Sequence, residues 1–173
     1  MYAEYEALIY DLDGTLVHLD VDWEAARRDV VTAVREHGHE VTDETLWELF
    51  DGAADDGVES LVHETLEAHE RRGARRSTRL PDADDFPHPV PVGVCSLNAE
   101  SACRIALERH DLDAHVDVVV GRDTVEGQKP DPGPLLHVVQ QFDVSPADAL
   151  FIGDSHSDEQ AANRADVDFR AVE

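Results

Sequence analysis

The chain has 173 residues, enough for one substantial core and a small additional domain, and 39 acidic residues against 14 basic ones leave a formal charge of −25. Such a field repels phosphate backbones and excludes nucleic acid as a partner, and no apolar run approaches the roughly 20 residues of a membrane-spanning helix. A hydrophobic content of 42% in periodic segments excludes disorder and places the acid excess on a folded surface.

Of the 14 basic residues all but Lys129 are arginine. An acidic surface of this kind repels itself in dilute buffer and loses much of that repulsion at about 1 M salt, where the Debye length is roughly 3 Å. A salt-adapted protein that needs molar salt for activity and stability is therefore expected. Residues 1–6 lack the basic-then-apolar pattern of a leader, and Cys95 and Cys103 have neither metal-type spacing nor a disulfide framework, so a reduced, cytoplasmic setting is expected.

The first predicted element is a buried strand over 7–11 (ALIYD), which runs into a turn at Asp13-Gly14. Residues 18–79 then carry helix patterns alone: Trp23, Ala26, Val30, Val34; Leu46, Trp47, Phe50; and Val58, Leu61, Val62, Leu66. Leu80-Pro81 marks the return, because proline disfavours helix in the residue before it. Strands follow at 90–96, 116–121, 149–154 and 167–172. Helical windows lie between them, marked by Ala102, Ile105, Ala106, Arg109 and by Leu135, Val138, Val139, Phe142. Strands alternating with helices predict an α/β fold with a parallel sheet covered on both faces. The expected core is 1–17 and 80–173. The expected helical cap, 18–79, overhangs the carboxyl ends of the strands, opening for substrate and closing against water. Ligands bind at those strand ends, and there Asp11, Ser96, Gly121 and Asp154 all fall.

Asp11 and Asp13 stand at i and i+2 on a strand end, so both can address one ligand. One carboxylate is a competent nucleophile toward phosphorus, and the other can protonate a leaving oxygen and then activate water. The alternative is a simple Asx turn at Asp13-Gly14. Ser96 can bind a phosphoryl oxygen or only cap the next helix. Lys129, between prolines in QKPDP, offers a compact ammonium in a chain that otherwise uses the planar guanidinium. In GDSHSD (153–158) the aspartates are hard oxygen ligands suited to magnesium, or else a helix cap and a first-turn acid.

Taken in order, DLDGTL (11–16), Ser96 after an apolar strand, KPDP (129–132) and GDSHSD (153–158) resemble the haloacid dehalogenase superfamily, in particular its phosphoglycolate phosphatase-like branch. The resemblance covers nearly the whole chain. It implies a Rossmann-like doubly wound sheet with a helical cap after the first strand. It also implies a magnesium-dependent phosphatase that hydrolyses a small phosphorylated metabolite through an aspartyl-phosphate. By position, Asp11 is the nucleophile and Asp13 the general acid and base. Magnesium is held by the side chains of Asp11 and Asp154 and the backbone carbonyl of Asp13, with Asp158 in support. Ser96, with Leu97 and Asn98 in its loop, and Lys129 bind the phosphoryl group. The acid at Asp13 favours a phosphatase over a dehalogenase. A phosphomutase of the β-phosphoglucomutase type would share the intermediate, and a catalytically silent domain would share the fold.

Two positions depart from the family pattern. Leu97 separates Ser96 from Asn98, where members often carry asparagine directly after the motif residue, and Asp166 replaces the usual glycine after the last helix, where aspartate tolerates the left-handed conformation. Arg71, Arg72, Arg75, Arg76 and Arg79 are expected to meet a helix carboxyl end and neighbouring acids rather than substrate. Trp23, Trp47 and Phe50 are expected in the cap core. Arg122 and Asp123 are expected near the mouth of the site. His156 is expected away from the substrate.

Overall fold

The computed structural model describes residues 2–41 and 57–172. A five-stranded sheet forms from β1 (Ala7–Tyr10), β4 (Val92–Cys95), β5 (Val118–Val120), β6 (Ala149–Gly153) and β7 (Asp168–Ala171), in the order β5-β4-β1-β6-β7. Every pairing in it is parallel, with Leu8 opposite both Val92 and Leu150. The alternation of side chains along β1 explains why it is apolar throughout. Leu8 and Tyr10 enter one core with Ala102, Cys103, Ala106 and Leu107 of α3 (Glu100–Arg109). Ala7 and Ile9 enter the other with Leu135, Val138 and Val139 of α4 (Gly133–Gln141) and Ala162 and Ala165 of α5 (His156–Ala165). The predicted parallel α/β sheet is therefore the observed one. Its strands are shorter than the apolar runs, because the run ends turn into the site loops.

After β1 the chain enters an insert. Its helices α1 (Trp23–Glu36) and α2 (Val58–Ala74) pack through Ala26, Val30 and Val34 against Val58, Val62 and Leu66, a cluster separate from both faces of the sheet. The pattern Leu46, Trp47, Phe50 lies outside the described residues. The insert is not purely helical at its ends. β2 (Val17–His18) and β3 (Thr78–Arg79) form an antiparallel ribbon, and the Leu80 amide donates to the Leu16 carbonyl at 3.0 Å, so both ends leave the sheet side by side. Two residues per strand are too short to show as periodicity. No helix among the described residues is long and apolar enough to cross a membrane.

Helix ends use aspartate in the left-handed region. Asp166 closes α5 at φ 54°, as expected, and Asp111 and Asp143, just beyond α3 and α4, do the same at 57° and 56°.

Candidate active site

The carboxyl ends of β1, β4 and β6, with the loop before α4, bring the motif residues to one cavity of about 220 Å³. Its lining is Asp11, Asp13, Trp23, Leu97, Asn98, Lys129, Asp154, Ser155 and Ser157. Lys129 reaches it from the proline loop and lies buried over the Phe151 ring. Its ammonium is 2.9 Å from Asp11 Oδ1 and 2.5 Å from Asp158 Oδ1, and it donates to the Cys95 carbonyl at 2.9 Å. A lysine can serve three partners in different directions in this way, where a planar guanidinium would be held to one plane.

Asp158 is fully buried. Its Oδ2 accepts from the Ser155 amide at 3.1 Å and the Ser155 hydroxyl at 2.7 Å, closing a capping box at the start of α5. It therefore anchors Lys129 and α5 from behind the cavity lining. Asp154 stands beside Gly14, whose φ of +88° suits glycine and where a Cβ would overlap the Asp154 carboxylate. Asp13 Oδ1 accepts from the Leu19 amide at 2.8 Å and lies 3.7 Å from His18 Nδ1, at the foot of the insert.

The electrostatics follow from crowding. Burial pushes the Asp11 carboxyl up to about 7; the Lys129 ammonium works against this, and the Asp158 carboxylate adds to it. Burial also raises Asp13, opposed by the Leu19 amide, and raises Asp154, with Asp158 adding to the effect. Burial lowers Lys129, but Asp11 and Asp158 outweigh it and hold the ammonium charged. Carboxylate oxygens of Asp11, Asp154 and Asp158 lie within 4.8 Å of one another. These three acids, two of them against the Lys129 ammonium and Asp154 exposed beside them, form a hard-oxygen donor set that a divalent cation would fit.

Of the three residues expected to bind a phosphoryl group with Lys129, Leu97 and Asn98 line the cavity, while Ser96 lies behind it and donates its hydroxyl to Asn98 Oδ1 at 3.2 Å. The expectation for Trp23 is corrected. As the first residue of α1 it overhangs the strand ends, is 39% exposed and lines the cavity instead of joining the Ala26–Val30–Val34 face. Arg122 and Asp123 stand beside the loop that lines the cavity: Arg122 is buried, pairs with Glu70 and donates to the Leu97 carbonyl, and Asp123 accepts the Glu100 amide at the start of α3. The arginine cluster behaves as expected. Arg71 and Arg72 fall in the last turn of α2, Arg76 meets Asp20 at 3.0 Å and Arg79 meets Asp84 at 2.9 Å. His156 is exposed, 3.4 Å from Glu159. Ser155 is the helix cap that GDSHSD offered, at the start of α5; Ser157, His18 and Glu70 were not singled out in the sequence, and of these only Ser157, inside GDSHSD, carried a local signal.

Comparison with known proteins agrees with this geometry. The family model for haloacid dehalogenase-like hydrolases matches residues 87–172, so 11–16 lies outside the match. Pyrophosphatase PpaX of Bacillus thuringiensis is 28% identical over 149 residues, covering 86% of this chain and 57% of the relative. The chain thus spans less than two thirds of the length of the curated relatives it matches. A haloacid dehalogenase-like hydrolase from Bacteroides fragilis superposes with a TM-score of 0.69 at 25% identity, covering 95% of this chain and 86% of that one. CbbY from Rhodobacter sphaeroides, solved in complex with phosphate, has a TM-score of 0.68 at 19% identity, covering 96% and 85%.

Proposed function

We propose, from the premise that this chain belongs to the haloacid dehalogenase-like hydrolases, that it is a magnesium-dependent phosphatase that hydrolyses a small phosphomonoester in the cytoplasm. The observation that carries the reading is the Lys129 ammonium between Asp11 and Asp158 at the floor of a cavity that Asp13 and Asp154 also line. The division into a core, 1–17 and 80–173, and a cap, 18–79, is part of the same reading.

An oxygen of Asp11 attacks phosphorus and the bond from phosphorus to the leaving oxygen breaks, giving an aspartyl-phosphate. Asp13, whose carboxyl burial pushes upward, donates the proton that the leaving oxygen takes. Water then attacks the same phosphorus and gives a proton to Asp13, releasing inorganic phosphate and the Asp11 carboxylate. Lys129 orients Asp11 and neutralises charge on the transferring oxygens. Asp11, Asp154 and the Asp13 carbonyl would hold magnesium, with Asp158 in support, and the ion would supply charge neutralisation between an anionic nucleophile and an anionic substrate.

The cavity of about 220 Å³ suits a small leaving group. Because the curated relatives bear the name pyrophosphatase, inorganic pyrophosphate belongs beside phosphomonoesters in the substrate screen. A phosphomutase would be recognised by transfer to a sugar instead of water. The test is hydrolysis of an aryl phosphate in about 2 M KCl with and without magnesium, for the wild type and Asp11→Asn. Turnover that requires both supports the reading; turnover indifferent to either overturns it. Full activity and an unchanged melting temperature in dilute buffer would overturn the salt requirement alone.

A further inference from the structure

We propose that Glu70 and Arg122 form a positioning pair that holds the phosphate-binding loop from the cap side, coupling the placement of the cap to the grip on the phosphoryl group. The inference rests on the phosphatase reading.

Glu70 lies one turn before the end of α2 and is fully buried, and Arg122 follows β5. They meet fork to fork, Nη1 to Oε1 at 2.5 Å and Nη2 to Oε2 at 3.0 Å. Arg122 Nε donates to His63 Nδ1 at 3.3 Å on the same helix as Glu70, and four further bonds of the pair converge on one short segment. Arg122 Nη1 donates to the Leu97 carbonyl at 2.9 Å, and the Arg122 amide donates to the Asn98 carbonyl at 2.9 Å. Glu70 accepts from Asn98 Nδ2 at 3.4 Å and from the Ala99 amide at 3.0 Å. Leu97 and Asn98 are the loop residues that line the cavity with Asp11 and Lys129. Ala99 sits at the cap position of α3 without a side chain that can cap, so its amide is met by the Glu70 carboxylate of another helix, as the next amide, of Glu100, is met by Asp123.

The pair touches neither nucleophile nor cavity floor, so it acts through the loop. Its partners come from the insert and from the sheet, so a displacement of α2 that separates the fork also releases the Leu97 carbonyl, the Asn98 side chain and the Ala99 amide. Glu67, one turn earlier on α2, accepts the Ser101 hydroxyl at 2.5 Å and ties the same two helices a second time.

A positioning role is separable from a structural one, because replacing both members of a buried ion pair by apolar residues of similar volume commonly leaves stability unchanged or higher. The experiment compares the wild type with Glu70→Gln and with the double variant Glu70→Leu, Arg122→Met. It reads melting temperature, KM and kcat for an aryl phosphate, the inhibition constant of inorganic phosphate, and hydrogen exchange of the 97–100 amides. Expected in the double variant are a melting temperature near that of the wild type, faster exchange at 97–100, and KM and the phosphate inhibition constant both raised roughly tenfold. Glu70→Gln, which keeps the shape, should show the same direction more weakly. Wild-type KM and phosphate inhibition in the folded variants would overturn the inference, whatever happens to stability. An inactive wild type would instead remove the phosphatase reading, and unchanged exchange at 97–100 would overturn the clamp independently of it.

Discussion

The Asp11–Lys129–Asp158 cluster at the strand ends and the pair beneath the insert are both buried and both ionic, yet the first sets two carboxylates against one ammonium with the exposed Asp154 close by, and the second sets one carboxylate against one guanidinium. In the balanced pair the guanidinium and the carboxylate meet fork to fork, which fixes their relative plane. In the unbalanced cluster Asp11 and Asp154 are driven upward by burial, with the Asp158 carboxylate adding to both, and a small cavity opens beside them. An excess of negative charge at the bottom of a cavity is stable only with help from a cation, and that is the condition in which a bound metal or an attacked phosphoryl group gains most. Buried charge alone therefore does not mark a site. Imbalance together with access does.

The largest effect that would sharpen this contrast is at Asp11. Asp11→Asn should reduce turnover by a factor on the order of 10⁴ or more while raising the melting temperature by several degrees. The Asp11 carboxyl stands near 7 in the folded protein against an ordinary 3.8, so folding disfavours its ionised form. That penalty is absent below about pH 4 and complete above about pH 7, so the variant's advantage should grow across that window in thermal melts. An advantage independent of pH would contradict the crowding account.

Next is Lys129→Met, which leaves Asp11 and Asp158 buried without their counter-charge. A loss of about 3–5 kcal/mol by urea unfolding is expected, with activity abolished. Lys129→Arg should fail to restore activity, because a planar fork cannot reach Asp11, Asp158 and the Cys95 carbonyl together.

Magnesium should act in the opposite direction. At about 100 times its dissociation constant it should add roughly 2.7 kcal/mol of stability, seen as a higher melting temperature, and EDTA should remove both that increment and turnover. The smallest effect is expected at Trp23, which is partly exposed and contributes little packing. Trp23→Ala should leave the melting temperature within about a degree and raise KM for an aryl phosphate up to about tenfold, with little change for inorganic pyrophosphate, which offers the ring no apolar face.

The same contrast explains what the sequence made legible. Asp11, Asp13, Lys129, Asp154 and Asp158 sit in short segments at strand ends, and the strands announce themselves as apolar runs, so local pattern sufficed for the sheet and the unbalanced cluster. Glu70 and Arg122 are separated by 52 residues in a chain full of acids and arginines; the end of a strand points to Arg122, but nothing near Glu70 distinguishes it or joins the two. Trp23 fits the helical spacing of Ala26, Val30 and Val34, but periodicity does not say that a first-turn residue projects past the partner helix and over the strand ends. The ribbon of β2 and β3 was hidden for a simpler reason, since two-residue strands have no period to read.

The most direct test of the central claim is to identify the atom that carries the phosphoryl group. The protein would be mixed with excess aryl phosphate and magnesium, quenched in acid within one turnover and reduced with borohydride, which converts an acyl phosphate to the alcohol. The account predicts homoserine at position 11 by peptide mass spectrometry, dependent on substrate and magnesium. Full turnover with an unmodified Asp11, or homoserine at any other aspartate, would contradict it.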